Sequence, residues 1–145
     1  MQHLAENFIP PRTYDFGSFK IAVLSPQFAD QDFHAVSHSA DSIRNVFGPT
    51  NDWPDSHISH AQNLADLVRH EQEFNDRVAF AYALLDLSGE LYLGCLYIKP
   101  IKSKLLHDGR RQLFQAQAFF WLSTTHTTLN VQDVLPVFQA WLSDC

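Results

Sequence analysis

Residues 79–98 read AFAYALLDLSGELYLGCLYI, two apolar runs joined at Asp86-Leu87-Ser88-Gly89-Glu90. In the first run Phe80, Tyr82 and Leu84 alternate with Ala79, Ala81 and Ala83, the period of a strand with one bulky and one small face. A face of alanines lets a helix pack close. The second run, Leu91 to Ile98, is apolar on both faces, as a central strand buried from both sides must be. These twenty residues place the middle of a sheet, and the flanking sequence supplies what covers it.

Upstream, Phe19, Ile21 and Val23 alternate with Ser18, Lys20 and Ala22, which predicts a half-buried strand stopped by Pro26. From Asp30 the period changes: Phe33, Val36, Ala40, Ile43 and Phe47 recur at helical spacing, and Gly48-Pro49 closes the element. Asn51 to Pro54 reads as a turn. A second helix follows, with Leu64, Leu67, Val68 and Phe74 on one face and Glu71 interrupting the stripe. Downstream, Ala116 to Leu122 reads as a further strand. A last helix carries Val131, Val134, Leu135, Phe138, Trp141 and Leu142. Pro136 either falls in the first turn of a helix that starts near Asp133, or kinks a longer one. The order strand, helix, helix, three strands, helix predicts an α+β domain with helices packed on one sheet.

The chain of 145 residues has the usual size of one domain, so residues 1–145 are read as a single unit. Hydrophobic residues make up 46%, including 12 Phe and 3 Trp, enough for a packed interior rather than disorder. The apolar run Ala79 to Leu85, even with Val78 before it, is too short to span a bilayer. Met1 to Glu6 lacks the basic-then-apolar layout of a signal peptide, so a cytoplasmic location is expected. A net charge of −6 argues against general nucleic-acid binding. The charge is uneven, however: Lys99, Lys102, Lys104, Arg110 and Arg111 stand against Asp108 alone. That segment reads either as a solvated hairpin loop or as a place that attracts an anion.

Cys95 lies in a strand-like run with no cation near it in sequence, which reads as a core thiol and not a nucleophile. Among eight histidines, His34 and His38 are one helical turn apart and His57 and His60 flank a loop. There is no Cys pair and no HExxH, since His70 is followed by Glu-Gln-Glu-Phe, so no metal is expected.

With Trp53-Pro54, the stretch Asn63-Leu64-Ala65-Asp66-Leu67-Val68-Arg69-His70-Glu71-Gln72-Glu73-Phe74, Arg77, Ala79-Phe80-Ala81-Tyr82 and Leu93-Gly94-Cys95-Leu96-Tyr97-Ile98-Lys99-Pro100, the sequence resembles the GNAT superfamily of acyl-CoA-dependent N-acyltransferases. It resembles more narrowly a bacterial group of GNAT-like proteins, over about residues 12 to 142. The resemblance implies a mostly antiparallel sheet of about four strands, two helices after the first strand and one C-terminal helix. It implies acetyl-CoA or CoA as co-substrate, with the pyrophosphate on backbone N–H groups that open the helix after the last strand. A small-molecule amine would be the acceptor, a carboxylate the base, and an acid, often Tyr, would protonate the thiolate.

Against that pattern, the loop before the last helix reads Ser123-Thr124-Thr125-His126-Thr127-Thr128-Leu129-Asn130, without glycine. Ser123, Thr124, Thr125, Thr127 and Thr128 are the expected cofactor contacts, with Lys102, Lys104, Arg110 and Arg111 near the phosphates. Gln117 stands where relatives often carry an acidic residue, and an amide cannot take a proton near neutral pH. His70, Glu71 and Glu73 are the candidate bases in its place, Glu71 foremost because it falls on the apolar stripe; alternatively Glu71 sits at the stripe's edge, with Glu73 and His70 on the solvated face. The chain ends at Cys145, so the later strands and helix of a full GNAT fold, and any Tyr on them, are expected to be missing. These features favour impaired acetyl transfer, or a non-catalytic binding or assembly module. Strand 116–122 carries no charge and no proline, and without its GNAT neighbour it is expected to form the edge of a homodimer.

Overall fold

The computed structural model describes residues 10–44, 46, 53–54, 58–99, 117–124 and 129–144. Five strands form one sheet in the order in which they occur along the chain: β1 (Thr13–Asp15), β2 (Lys20–Val23), β3 (Phe80–Leu85), β4 (Tyr92–Lys99) and β5 (Gln117–Leu122). Every neighbouring pair is antiparallel. Helices α1 (Ala29–Ile43) and α2 (His60–Asn75) lie between β2 and β3, and α3 (Val131–Asp144) follows β5. The α+β class and element order match the sequence reading. The addition is β1, three exposed residues paired with β2 in a stretch with no apolar alternation.

β3 is buried along its whole length and β4 everywhere except Lys99, because helices cover both sheet faces. Phe80, Tyr82, Leu84, Leu96 and Ile98 pack with Val134, Phe138 and Trp141 of α3. Ala81, Ala83, Tyr92, Cys95, Tyr97 and Trp121 face Ala35, Val36 and Ile43 of α1 and Leu67 of α2. The small alanine side chains are what admit α1 and α2 to that face.

Both α2 and α3 depart from the sequence reading in which positions they bury. On α2 the buried residues are Asn63, Leu67 and Phe74, while Val68 is 53% exposed. On α3 Val134, Phe138 and Trp141 are buried, but Val131 and Leu135 face solvent. A helix advances about 100° per residue, so an apolar side chain one position off the stripe points away from the sheet. α2 is opened by a capping box: Gln62 N–H donates to Ser59 Oγ at 3.1 Å and Ser59 N–H to Gln62 Oε1 at 2.9 Å. Pro136 falls inside α3 and not in its first turn.

Candidate functional site

The α1–α2 side of the sheet holds a buried polar chain that links three elements. Asp32 of α1 is 3% exposed and accepts from Asn63 Nδ2 of α2 at 2.7 Å. The Tyr92 hydroxyl of β4 donates to the other carboxylate oxygen, and Cys95 Sγ lies 3.1 Å from that hydroxyl and 3.5 Å from Asp32. On the same face Trp121 Nε1 donates to the Tyr97 hydroxyl at 2.9 Å. Burial pushes the Asp32 carboxyl above its ordinary range, against the opposing pull of the hydrogen bonds from Tyr92, Asn63 and Cys95. Burial also raises the Cys95 thiol, so this residue is a core thiol with no nucleophilic character.

His70 stands beside this chain, its ring 5.5 Å from that of Tyr97, on which Trp53 also rests at 6.5 Å. Its side chain is 11% exposed, and Glu73 Oε1 lies 3.9 Å from Nδ1. Burial, followed by the charges of Arg69 and Lys99, holds the imidazole down at about 3. Glu73 works the other way, but it is tied to Arg69 at 3.4 Å and partly solvated, so burial prevails and the ring is neutral at pH 7. The folded state therefore resists a proton that the unfolded chain accepts below pH 6.5. This contribution destabilises the fold as pH falls from 6.5 toward about 3, by up to about 1.4 kcal/mol per pH unit. Asp32, with its raised pKa, has the opposite sign, so the parent slope is a difference of the two. Urea unfolding at pH 7, 5.5 and 4.5 should show the parent losing stability more steeply than His70→Gln; equal slopes would refute the assignment.

The remaining sequence candidates are dispersed. Glu71 is half-buried on α2, at the margin of the stripe occupied by Asn63, Leu67, His70 and Phe74. Gln117 is half-buried at the start of β5, opposite Lys99. Ser123 and Thr124 follow the other end of that strand, about 20 Å away at 3.3 Å per residue. Ser123 is buried and its N–H donates to Leu93 O at 2.8 Å. The Thr124 N–H donates to Ser39 Oγ of α1 at 3.0 Å, and its hydroxyl lies 3.1 Å from the same oxygen. Lys102, Lys104, Arg110, Arg111, Thr125, Thr127 and Thr128 lie outside the described residues. Among the described residues no group of three or more His, Cys, Asp or Glu side chains converges to hold a metal, and no helix is long and apolar enough to cross a membrane.

Two backbone N–H groups at the entry to α3 are taken by its own side chains. Asn130 N–H donates to Asp133 Oδ2 at 3.0 Å, and Asp133 N–H donates to Asn130 Oδ1 at 3.1 Å. A carboxylate thus occupies the positive end of the helix. The polar chain of Asp32, Asn63, Tyr92 and Cys95 was not anticipated from the sequence. Its signal was the placing of Asp32 and Asn63 on the buried stripes of their helices.

No family profile and no curated protein matches the sequence. Solved structures do match. A GNAT-family acetyltransferase from Bordetella pertussis aligns at TM-score 0.64 and 12% identity over 92% of this chain and 74% of its own. An acetyltransferase from Salmonella typhimurium that modifies the N-terminal serine of a 50S ribosomal protein aligns at TM-score 0.63 and 9% identity, over 91% and 68%. The ribosomal-protein-S5-alanine acetyltransferase from Vibrio fischeri aligns at TM-score 0.61 and 10% identity, over 91% and 67%. At these identities the likeness is one of backbone path, and by that path the chain has a GNAT-like acetyltransferase fold.

Proposed function

We propose that this chain is a GNAT-fold domain impaired in acetyl transfer, acting as a binding or assembly module. The observation that carries the reading is the reciprocal Asn130–Asp133 cap on α3. In the GNAT arrangement the pyrophosphate of acetyl-CoA would need the N–H groups at this helix terminus. Here two of them are spent internally, and Asp133 adds a negative charge that repels phosphate. Ser39 satisfies the Thr124 amide in the preceding loop as well. Gln117 has no carboxylate to take a proton, and loss of one general base commonly costs about 10² to 10⁴ in rate.

A thermal melt with CoA or acetyl-CoA tests the reading. A ligand at a hundredfold excess over Kd would stabilise the fold by about 2.7 kcal/mol, roughly 5–10 °C for a domain of this size. The expected result is no shift at millimolar CoA, and a measurable one once Asp133→Asn removes the charge. Micromolar CoA binding by the parent, with turnover on simple amines, would restore the acetyltransferase reading, and loss of that turnover in Glu71→Gln would assign the base.

The assembly half of the proposal is a homodimer through β5, one of the two edge strands of the described sheet. Its Phe120 and Leu122 are half-buried and Ala118 is exposed. Light scattering should give twice the chain mass of 16.6 kDa, and Phe120→Lys should return it to a monomer while Lys104→Ala should not. A parent that is monomeric at micromolar concentration refutes it.

A further inference from the structure

A cleft of about 270 Å³ opens where the start of α1 meets the turn between β3 and β4. None of the candidate bases lines it, nor do Asn130 and Asp133, so it stands apart from the question of CoA. Its floor is apolar: Ala35 and the Tyr92 ring, both buried, with Leu91 beside them at 40% exposure. The Tyr92 hydroxyl is already used in the core, where it donates to Asp32. The rim is the reverse. Asp30 and Glu90 bring two carboxylates and His34 an imidazole, and no Lys or Arg lines the cleft. The Lys20 amine reaches the neighbouring Gly89, yet the Glu90 carboxylate makes no ion pair or hydrogen bond among the described residues. Gln31 Nε2 is turned to Glu90 O at 3.5 Å, which leaves the amide oxygen as another acceptor. Asp30 accepts from His60 Nε2 at 3.0 Å through one carboxylate oxygen and keeps the other. Acceptors around an apolar floor select a ligand that is rich in donors, positively charged and partly hydrocarbon.

We propose that this cleft binds a small primary ammonium on a short aliphatic chain, as a ligand held and not as a substrate transformed. The ammonium group has three donors to offer Glu90, Asp30 and the Gln31 oxygen, and the chain covers Leu91, Ala35 and the Tyr92 ring. An anion meets two like charges there, and a neutral alcohol leaves both carboxylates without a counter-charge. The volume falls just below the roughly 300 Å³ at which pockets for larger molecules begin, which limits the ligand to a few carbons. A net charge of −6 on the chain favours the approach of a cation. The site does not depend on whether CoA binds.

The test titrates n-butylammonium and follows the backbone amide resonances of Ala35, Glu90 and Leu91, with n-butanol, butyrate and methylammonium as comparisons. Butylammonium should shift all three with a millimolar Kd, about ten-fold tighter than butanol, the effect of one charge-assisted hydrogen bond. Methylammonium, which has the charge without the chain, should bind several-fold more weakly, and butyrate should not bind. Glu90→Gln should lose most of the ten-fold preference. Asp41→Asn, an equal loss of charge elsewhere on α1, should keep it; both positions are exposed, so neither change disturbs the core. Leu91→Ser should weaken butylammonium and leave methylammonium unchanged. Equal affinities for butylammonium and butanol, an Asp41→Asn variant as impaired as Glu90→Gln, unchanged butylammonium binding in Glu90→Gln or Leu91→Ser, or no shift of those resonances at ten times the expected Kd would overturn the proposal.

Discussion

Replacing Gly94 with alanine should lower the melting temperature by roughly 8–20 °C or prevent folding altogether. Gly94 sits in β4 with φ +152°, and a methyl group there would lie 2.0 Å from the carbonyl oxygen of Trp121 and 3.0 Å from Leu122 Cα. Those atoms are backbone of β5, so no side chain can swing aside. The register also slips at this point: Leu84 pairs with Gly94 but Leu85 with Tyr92, which leaves Leu93 as the extra residue of a bulge. Relief would require β5 to move off β4, taking Trp121 and the Tyr97 hydrogen bond with it. Overpacking and backbone strain, each about 1–3 kcal/mol, combine to roughly 3–5 kcal/mol. Gly17→Ala provides the comparison. Gly17 also has positive φ, +96°, but nothing lies within 4 Å, so only the strain applies and the loss should be about 1–2 kcal/mol. Comparable melts for the two variants would show that β5 does not press on Gly94.

Asp32→Ala should cost about 3–5 kcal/mol by urea unfolding at pH 7. The substitution removes the acceptor of both Asn63 Nδ2 and the Tyr92 hydroxyl, each buried where water cannot replace it. An unmatched buried donor costs about 1–3 kcal/mol, and here there are two. Asp32→Asn keeps one acceptor oxygen and removes a charge that burial disfavours, so its cost should stay near 1 kcal/mol. Asp32→Leu combined with Asn63→Leu and Tyr92→Phe removes the donors as well as the acceptor. It should recover much of the loss. An Asp32→Ala variant as stable as Asp32→Asn would mean that Asn63 and Tyr92 find other partners, and that the chain does not tie α1, α2 and β4 together.

Residues 79–98 were legible because both signals in them are local. Alternation of Phe80, Tyr82 and Leu84 with alanine fixes two faces through the period of the backbone, and a run apolar on both faces requires cover on both. The capping box at Ser59 and Gln62 is local too, a pairing of residues three apart. Helix faces were less legible. On α2 the apolar residues Leu64 and Val68 draw the stripe one position away from the buried line of Asn63, Leu67, His70 and Phe74. Sequence hydrophobicity alone does not resolve a rotation of 100° when polar residues occupy the packed side.

The sequence by itself determined the order of the elements from β2 onward, the two covered central strands and the absence of a carboxylate at Gln117. Only the tertiary structure decided that Asp32, Asn63 and His70 face inward, and that Asn130 and Asp133 cap the start of α3 reciprocally. The physical reason is that a polar side chain is admitted to a core by partners from other elements. Asn63 and Tyr92, which satisfy Asp32, lie 31 and 60 residues along the chain from it, a proximity no local pattern encodes.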